Sequence, residues 1–412
     1  MRTTTDHGVS YSIVPFGAVR LLFLSATPKE RTQHPPTAAD YESQCRELLK
    51  ETFAVLESQG CQDSVLMMNV FLANIGTKEL FRQIMLDFYP DDEVFTAATY
   101  IPQAPADGSA VALDLFAVIS ENPSLLLKDT YITGHSQVVA GWSSVNWFFG
   151  GNFVSQATLV GTYERSHGAF MQMSLGLGTS GGDAENLVRT WIYQGHLVAA
   201  EGDTQRYKEL NRARTDFFGD TEFLKQYIPS EYKGKVYPAS TGIGADDFDV
   251  VMSCCALSTE RKDVIVVPLE NPRQTSAFDY GEEYSPQSPK FARAMAVAFD
   301  DSCLIFVSGT AAITDSESRC IDDPEGQTNI TLDNIAALID SENLERHGVR
   351  GYSCGLQNLE SARVYVKRPA EYERIRAVCE QRLGDVPILY TIADVCRDEL
   401  LVEIESIAVC SK

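Results

Sequence analysis

The sequence predicts an α+β fold built from three tandem modules of one design, mixed sheets with helices on one face, closed into a covalent pseudo-trimer. Three observations predict it. A helix-like stretch, a short β-rich run, a second helix and two apolar strands follow one another three times along the 412 residues. Within each pass the apolar period switches between that of a helix and that of a strand. Polar connectors containing Gly and Pro separate the passes. Copies of a module that stack against one another leave grooves between them, and grooves are where small molecules bind.

The first pass covers residues 40–118, with a strand at Val65–Leu72 (VLMMNVFL) and a helix at Lys78–Phe88. The second covers residues 163–257, with a strand at 187–193 and a helix at 207–218. The helix-like stretch that starts near Tyr163 carries His167, and the glycine-rich segment 174–182 (SLGLGTSGG) after it reads as a mobile loop. The third pass covers residues 328–409, with a strand at 362–367 and a helix at 370–383. In that helix Tyr372, Ile375, Val378, Cys379 and Leu383 fall on one stripe, with Glu and Arg opposite. Pro369 starts it and Gly384 stops it. Residues 401–410 (LVEIESIAVC) alternate, so Val402, Ile404, Ser406 and Ala408 face one way and Glu403, Glu405, Ile407 and Val409 the other. Connectors are expected at 121–128, 142–153 and 260–289; the last holds Phe278, Tyr280 and Tyr284 and should pack as an ordered loop. The expected domains are residues 1–130, 131–270 and 271–412.

Lys and Arg number 34 against 57 Asp and Glu, a formal charge of −23, which argues against nucleic acid and anionic membrane surfaces as partners. No apolar run approaches the roughly 20 residues of a membrane span, and Met1–Ser10 is polar, so a cytoplasmic protein is expected. The ten cysteines form no CxxC pair and read as reduced, small core residues. The six histidines lack metal-ligand spacing, and neither a metal nor an organic cofactor is expected. No GxGxxG follows a strand, and GxxxxGK[ST] is absent.

Glu403 and Glu405 lie two apart on a strand and so share a face. In a buried setting one of two such carboxyls is held protonated, and it becomes a candidate general acid. On an open face both are simply solvated. Arg363, Arg189 (in a place comparable to Arg363) and Arg293 are candidate clamps for a carboxylate. The small-residue runs 308–312 (SGTAA) and 237–244 (YPASTGIG) would let a ligand approach the backbone.

The runs FVSGTAAI at 306–313, QT and TLDNI at 327–335, ARVYV at 362–366 and VEIESIA at 402–408 resemble the reactive-intermediate deaminase (Rid, or YjgF-like) superfamily. The likeness is strong over the third module, weaker over the second and faint over the first. Rid proteins are trimers with sites between subunits. Their carboxylate-binding Arg on the penultimate strand would fall at Ile388, Ser240 and Ala98, none of them Arg. RTWIY at 189–193, YPASTGIG at 237–244, FARA at 291–294, SGTA at 308–311 and ADVCRDELLVEIE at 393–405 are more similar to the chorismatases, multi-module relatives of the Rid proteins. That resemblance implies Glu403 as proton donor, Cys396 lining the pocket and Gly309 as a subtype-distinguishing small residue. It also implies substrate contacts from Arg189, Tyr193, Tyr237, Thr241, Gly242, Arg293, Arg363 and Tyr390. The implied substrate is a small anionic, chorismate-like metabolite that releases pyruvate and a dihydroxycyclohexadiene carboxylate or hydroxybenzoate. An enamine or imine hydrolase and a non-catalytic ligand-binding protein are the alternatives. The expected state is a monomeric pseudo-trimer or a weak homo-oligomer.

Overall fold

Three six-stranded sheets of identical strand order make up the chain, each with helices against one face. The computed structural model describes every residue except 6–7, 30–36, 90–95, 122–125, 129–134, 248 and 282–286. His7, His34, Tyr284 and parts of the expected connectors at 121–128 and 260–289 therefore lie outside the described residues.

Module one contains β1 (Arg2–Thr4), β2 (Val9–Phe16), β3 (Val19–Ala26), β4 (Val65–Leu72), β5 (Ala97–Ile101) and β6 (Val111–Ile119). Module two contains β7 (Leu126–Lys128), β8 (Ser136–Trp142), β9 (Val145–Val154), β10 (Leu187–Gly195), β11 (Ala239–Ala245) and β12 (Val250–Ser258). Module three contains β13 (Ile265–Leu269), β14 (Ala294–Phe299), β15 (Ser302–Ala311), β16 (Leu359–Val366), β17 (Ile388–Ile392) and β18 (Val402–Ser411). In each, the first three strands form an antiparallel meander, the last strand returns beside the third, and the fourth and fifth form a parallel pair at the far edge. Parallel strands need a crossover, and α2 (Lys78–Phe88), α4 (Arg206–Phe218) and α7 (Tyr372–Leu383) provide it. The third-to-fourth connection is spanned by α1 (Ala38–Ser58), by α3 (Thr162–Thr179), and by α5 (Pro324–Ile339) with α6 (Ser341–Arg346).

Two segments differ from expectation. Residues 142–153 are not a connector: Trp142 ends β8, and β9 is one of the two central strands of its sheet. The two-residue turn between them is Ser143-Ser144, with φ of 51° and 59°. Asp300-Asp301 makes the same turn in module three, with φ of 47° and 61°. Such turns favour Asn-Gly, so these hairpins carry no strong sequence signal. Residues 174–182 are not wholly a loop, because α3 continues to Thr179. Gly176 belongs to that helix, where a Cβ would run into Phe153 and Gln137, so the glycine permits close helix–sheet packing.

Strand register sets which residues correspond between modules. Each fourth strand carries one irregularity, between Val65 and Met67, Leu187 and Arg189, and Leu359 and Ser361. Counting from it, Ala98, Ser240 and Ile388 are equivalent, as the sequence comparison expected. Asp114, Ser253 and Glu405 are equivalent, and so are Ala112, Val251 and Glu403. Arg363 corresponds to Asn69 and Trp191. Arg189 instead corresponds to Met67 and Ser361, which corrects the expected pairing of Arg189 with Arg363.

The modules close on one another through their parallel edges. The Asn152 N–H donates to Thr99 Oγ1 (3.2 Å) across the first seam, and the Gly309 N–H donates to Thr241 Oγ1 (2.9 Å) across the second. Pro105 bridges Thr391 across the third. One apolar cluster draws buried residues from all three modules, Phe16, Trp147 and Phe306 among them. Two further clusters fill the helix sides of modules one and three.

Candidate active site

A cavity of about 540 Å³ lies at the seam between modules two and three. The polar face of α4 contributes Tyr207 and Asn211, and β11 contributes Ser240 and Gly242. From module three come Arg293, just before β14, Gly309 on β15 and Glu403 on β18. Cys396, Arg397 and Glu399 reach it from the segment between β17 and β18, and Tyr280 and Phe291 complete the wall. Among the sequence-predicted residues, Gly242, Arg293, Gly309, Cys396 and Glu403 line this cavity.

Glu403 is only 5% exposed. Its carboxyl is pushed up to about 8, first by burial and then by the negative charge of Glu405, against the opposing pull of Arg293 and Arg189. Residue 309 is glycine for a local reason: a Cβ there would overlap Glu403 Oε1. The equivalent positions in the other seams are Val251 and Ala112, so only this seam carries a carboxyl in that place. Burial pushes the Cys396 thiol up to about 12, which keeps it protonated and a poor nucleophile.

Glu405 shares the face of Glu403 but points to the layer behind the cavity. Its carboxylate accepts from Arg189 Nη2 (2.7 Å), Arg363 Nη1 (2.5 Å), Trp191 Nε1 (3.1 Å) and the Thr241 hydroxyl. Arg363 also donates to Asp114 through Nε (2.8 Å) and Nη2 (3.0 Å), and to Tyr193 Oη (2.7 Å). Asn69 Nδ2 donates to Asp114 as well (2.8 Å). Contrary to the sequence expectation, Arg189, Tyr193, Thr241 and Arg363 do not line this cavity; they belong to an ion network joining all three modules. Arg189 and Arg363 both pair with Glu405, and Arg189 Nη1 is left without a partner.

Tyr237 and Tyr390 lie away from the cavity. Tyr237 packs against Phe218, Phe223 and Phe278 at ring-centroid distances of 6.1, 6.5 and 5.5 Å. Tyr390 has the parity of Ile388 and Ile392, which turns it to the helix side, where it meets Tyr372 at 5.5 Å.

The sequence reading placed the helix at 207–218 but missed its contribution to the cavity. Tyr207, Asn211 and Arg214 sit at i, i+4 and i+7, one polar stripe on an otherwise ordinary helix. Arg214 is 1% exposed and stands directly behind the cavity wall. It donates to Ser240 Oγ (3.3 Å) and to Asn211 Oδ1, and its guanidinium lies 5.4 Å from the Phe291 ring. It forms no salt bridge among the described residues, and its Nε lacks a partner. The guanidinium thus stands behind Ser240, the place where a Rid-type strand arginine would be. Arg293 donates to Thr275 O (2.8 Å) and Tyr280 Oη (2.6 Å). Behind it Glu270 is pushed up to about 7, chiefly by burial. No cluster of three or more His, Cys, Asp or Glu placed to hold a metal occurs among the described residues, and no described helix is long and apolar enough to cross a membrane.

No family model matches the chain. Over 229 residues it is 35% identical to a 3-hydroxybenzoate synthase of Streptomyces hygroscopicus, covering 54% of this chain and 63% of that protein. It is 36% identical over 229 residues to a chorismatase of Streptomyces rapamycinicus, 54% of this chain and 64% of that one. The chain thus spans somewhat less than two thirds of the length of either relative. A crystal structure of a chorismatase superposes with a TM-score of 0.64 at 21% identity, covering 96% of this chain and 99% of the other. The overall fold is shared over nearly the whole length.

Proposed function

We propose that this chain, a homologue of the chorismatases built on the same three-module fold, protonates the enol-pyruvyl ether of chorismate and releases pyruvate with a hydroxybenzoate. The observation that carries this reading is Glu403: a buried carboxyl, held protonated near neutral pH, facing the one cavity-bearing seam that has an acid at this position. A carboxyl raised in this way is a competent general acid at neutral pH.

Glu403 delivers its proton to the methylene carbon of the enol ether. Trapped by water, the resulting oxocarbenium becomes a hemiketal, whose bond to the ring oxygen breaks to release pyruvate and leave that oxygen on the ring. Trapped by the neighbouring ring hydroxyl, it becomes a cyclic ketal, from which one ring carbon–oxygen bond and the other ketal carbon–oxygen bond break to release pyruvate while a ring C–H proton leaves to aromatise the ring. With the ring hydroxyl as the trapping group, chorismate divides into pyruvate and hydroxybenzoate with no net water consumed. With water, the ring product is the dihydroxycyclohexadiene carboxylate. The likeness to a 3-hydroxybenzoate synthase favours the hydroxybenzoate. Arg293 on the wall faces a substrate carboxylate, and Arg214, behind Ser240 and Asn211, adds positive charge to the same side of the cavity; a buried guanidinium without a carboxylate partner is well matched to an anion. Tyr207 and Phe291 flank the ring. An enamine or imine hydrolase would miss its strand arginine at all three equivalent places.

Incubation with chorismate should release pyruvate, with the ring product identified by chromatography. Glu403→Gln should lower release at least about 10²-fold, the scale of a lost general acid, while the fold is kept. Because the acid must be protonated, the rate should fall as pH rises through about 8. Pyruvate release by Glu403→Gln at the parent rate would remove the proposed role.

A further inference from the structure

One hydroxyl ties the acid to the centre of the molecule. Thr241 Oγ1 donates to Glu405 and accepts from Arg189 (2.5 Å) and from the Gly309 N–H (2.9 Å), so its one donor and two acceptor positions are all used. Gly309 in turn packs on Glu403 Oε1. The seam between modules one and two repeats the threonine contact, Asn152 to Thr99, yet there Val251 and Ser253 replace the two glutamates. The hydroxyl bond is therefore a joint common to both seams, and the charge behind it is particular to the second.

We propose that Glu405 is a positioning residue for the seam between modules two and three: as an anion held by Arg189, Trp191 and Arg363, it keeps the neighbouring Glu403 carboxyl protonated and, through Thr241, fixes the turn at Gly309 on which that carboxyl rests. This deepens the reading of Glu403 as proton donor and rests on it. Four donors converge on Glu405, Arg189 and the Thr241 hydroxyl on Oε2 and Arg363 and Trp191 on Oε1, so both oxygens act as double acceptors. Residues two apart on a strand are about 6.7 Å apart along it. At an effective dielectric of about 20, a charge at that distance raises a neighbouring carboxyl by roughly one to two pH units. The groups acting on Glu403 besides Glu405 are Arg189 on β10 and Arg293 before β14; Tyr207 and Lys208 on α4, Tyr280, and Cys396, Arg397, Asp398 and Glu399 after β17 line the same cavity. Both arginines oppose the effect, and Glu405 itself offsets Arg189. Loss of the Glu405 charge and exposure of Arg189 therefore act in the same direction on Glu403.

The test is an infrared titration of the unliganded protein, following the carboxylic-acid band that disappears in Glu403→Gln. In Glu405→Gln its midpoint should move down by at least about one pH unit, and the basic limb of the pyruvate-release profile should move with it. An unmoved midpoint in a folded Glu405→Gln protein overturns the proposal, since a merely structural role would alter stability and leave the titration in place. Should Glu405→Gln fail to fold, neutron diffraction of the unaltered protein near pH 7 decides: a deuteron on Glu403 and none on Glu405 supports the proposal, and any other pattern overturns it. The titration needs no substrate, so absence of pyruvate release from chorismate would count against the reaction alone.

Discussion

At residue 309 the backbone has no room for a side chain, because a Cβ would occupy the space of Glu403 Oε1 and come within 3.0 Å of Thr241 Cγ2. Replacing Gly309 with Ala must push the carboxyl aside, since Thr241 and the strand pairing hold the turn in place. Displacement of a catalytic group by about 1 Å can cost 10²-fold. Gly309→Ala should therefore lower pyruvate release by about 10- to 100-fold and alter the ratio of ring products, read by chromatography of the reaction mixture, with little change in circular dichroism. Release at the parent rate would show that the carboxyl has another resting place. The pairing of Glu403 with Glu405 on one face was readable from the period of two alone. Which of them meets the cavity was not, because that depends on where Gly309 and the arginines of two other strands arrive. Arg189 was misread for a local reason. Arg189 lies two residues past Leu187 and Arg363 four past Leu359, and the irregularity is common to both strands, so the two arginines share a face but stand two residues apart along it.

Helix α4 illustrates what element-level reading finds and overlooks. Its extent is clear from sequence, but its cavity-facing stripe is polar, and an analysis tuned to apolar stripes treats Tyr207, Asn211 and Arg214 as the solvent side. The structure buries Asn211 and Arg214 against the seam. The hairpins of modules two and three were equally illegible, since Ser143-Ser144 and Asp300-Asp301 adopt left-handed backbone without glycine. The crossover helices and parallel strands, by contrast, follow from periodicity and from start and stop residues such as Pro369 and Gly384. A buried Arg with no carboxylate partner is costly unless an anion meets it. Arg214→Met should accordingly raise the KM for chorismate by about tenfold or more while kcat changes less, with thermal stability kept or improved because a desolvated charge is gone. Steady-state kinetics with a melting curve checks this, and an unchanged KM would place the substrate carboxylates elsewhere in the cavity.

At the scale of the whole molecule, the three modules were legible as a repeat, but their mutual dependence was not. Arg363 sits on module three, donates to Asp114 of module one and to Tyr193 of module two, and shares Glu405 with Arg189 of module two. The largest apolar cluster likewise takes Phe16 from one module, Trp147 from the next and Phe306 from the third. Neither feature can be assembled within a single module, so the chain should unfold as one cooperative unit despite its internal repetition. Replacing Arg363 with Met leaves Asp114 without its guanidinium and Glu405 with one cation instead of two. Removing one partner of a buried ion network costs about 3–5 kcal/mol. The expected result in calorimetry is a single transition, displaced as a whole to lower temperature by Arg363→Met. A trace that splits, with one part moving and the rest unmoved, would mean that the seams are weaker than the modules they join, and that the acid at the second seam is held by its own module alone.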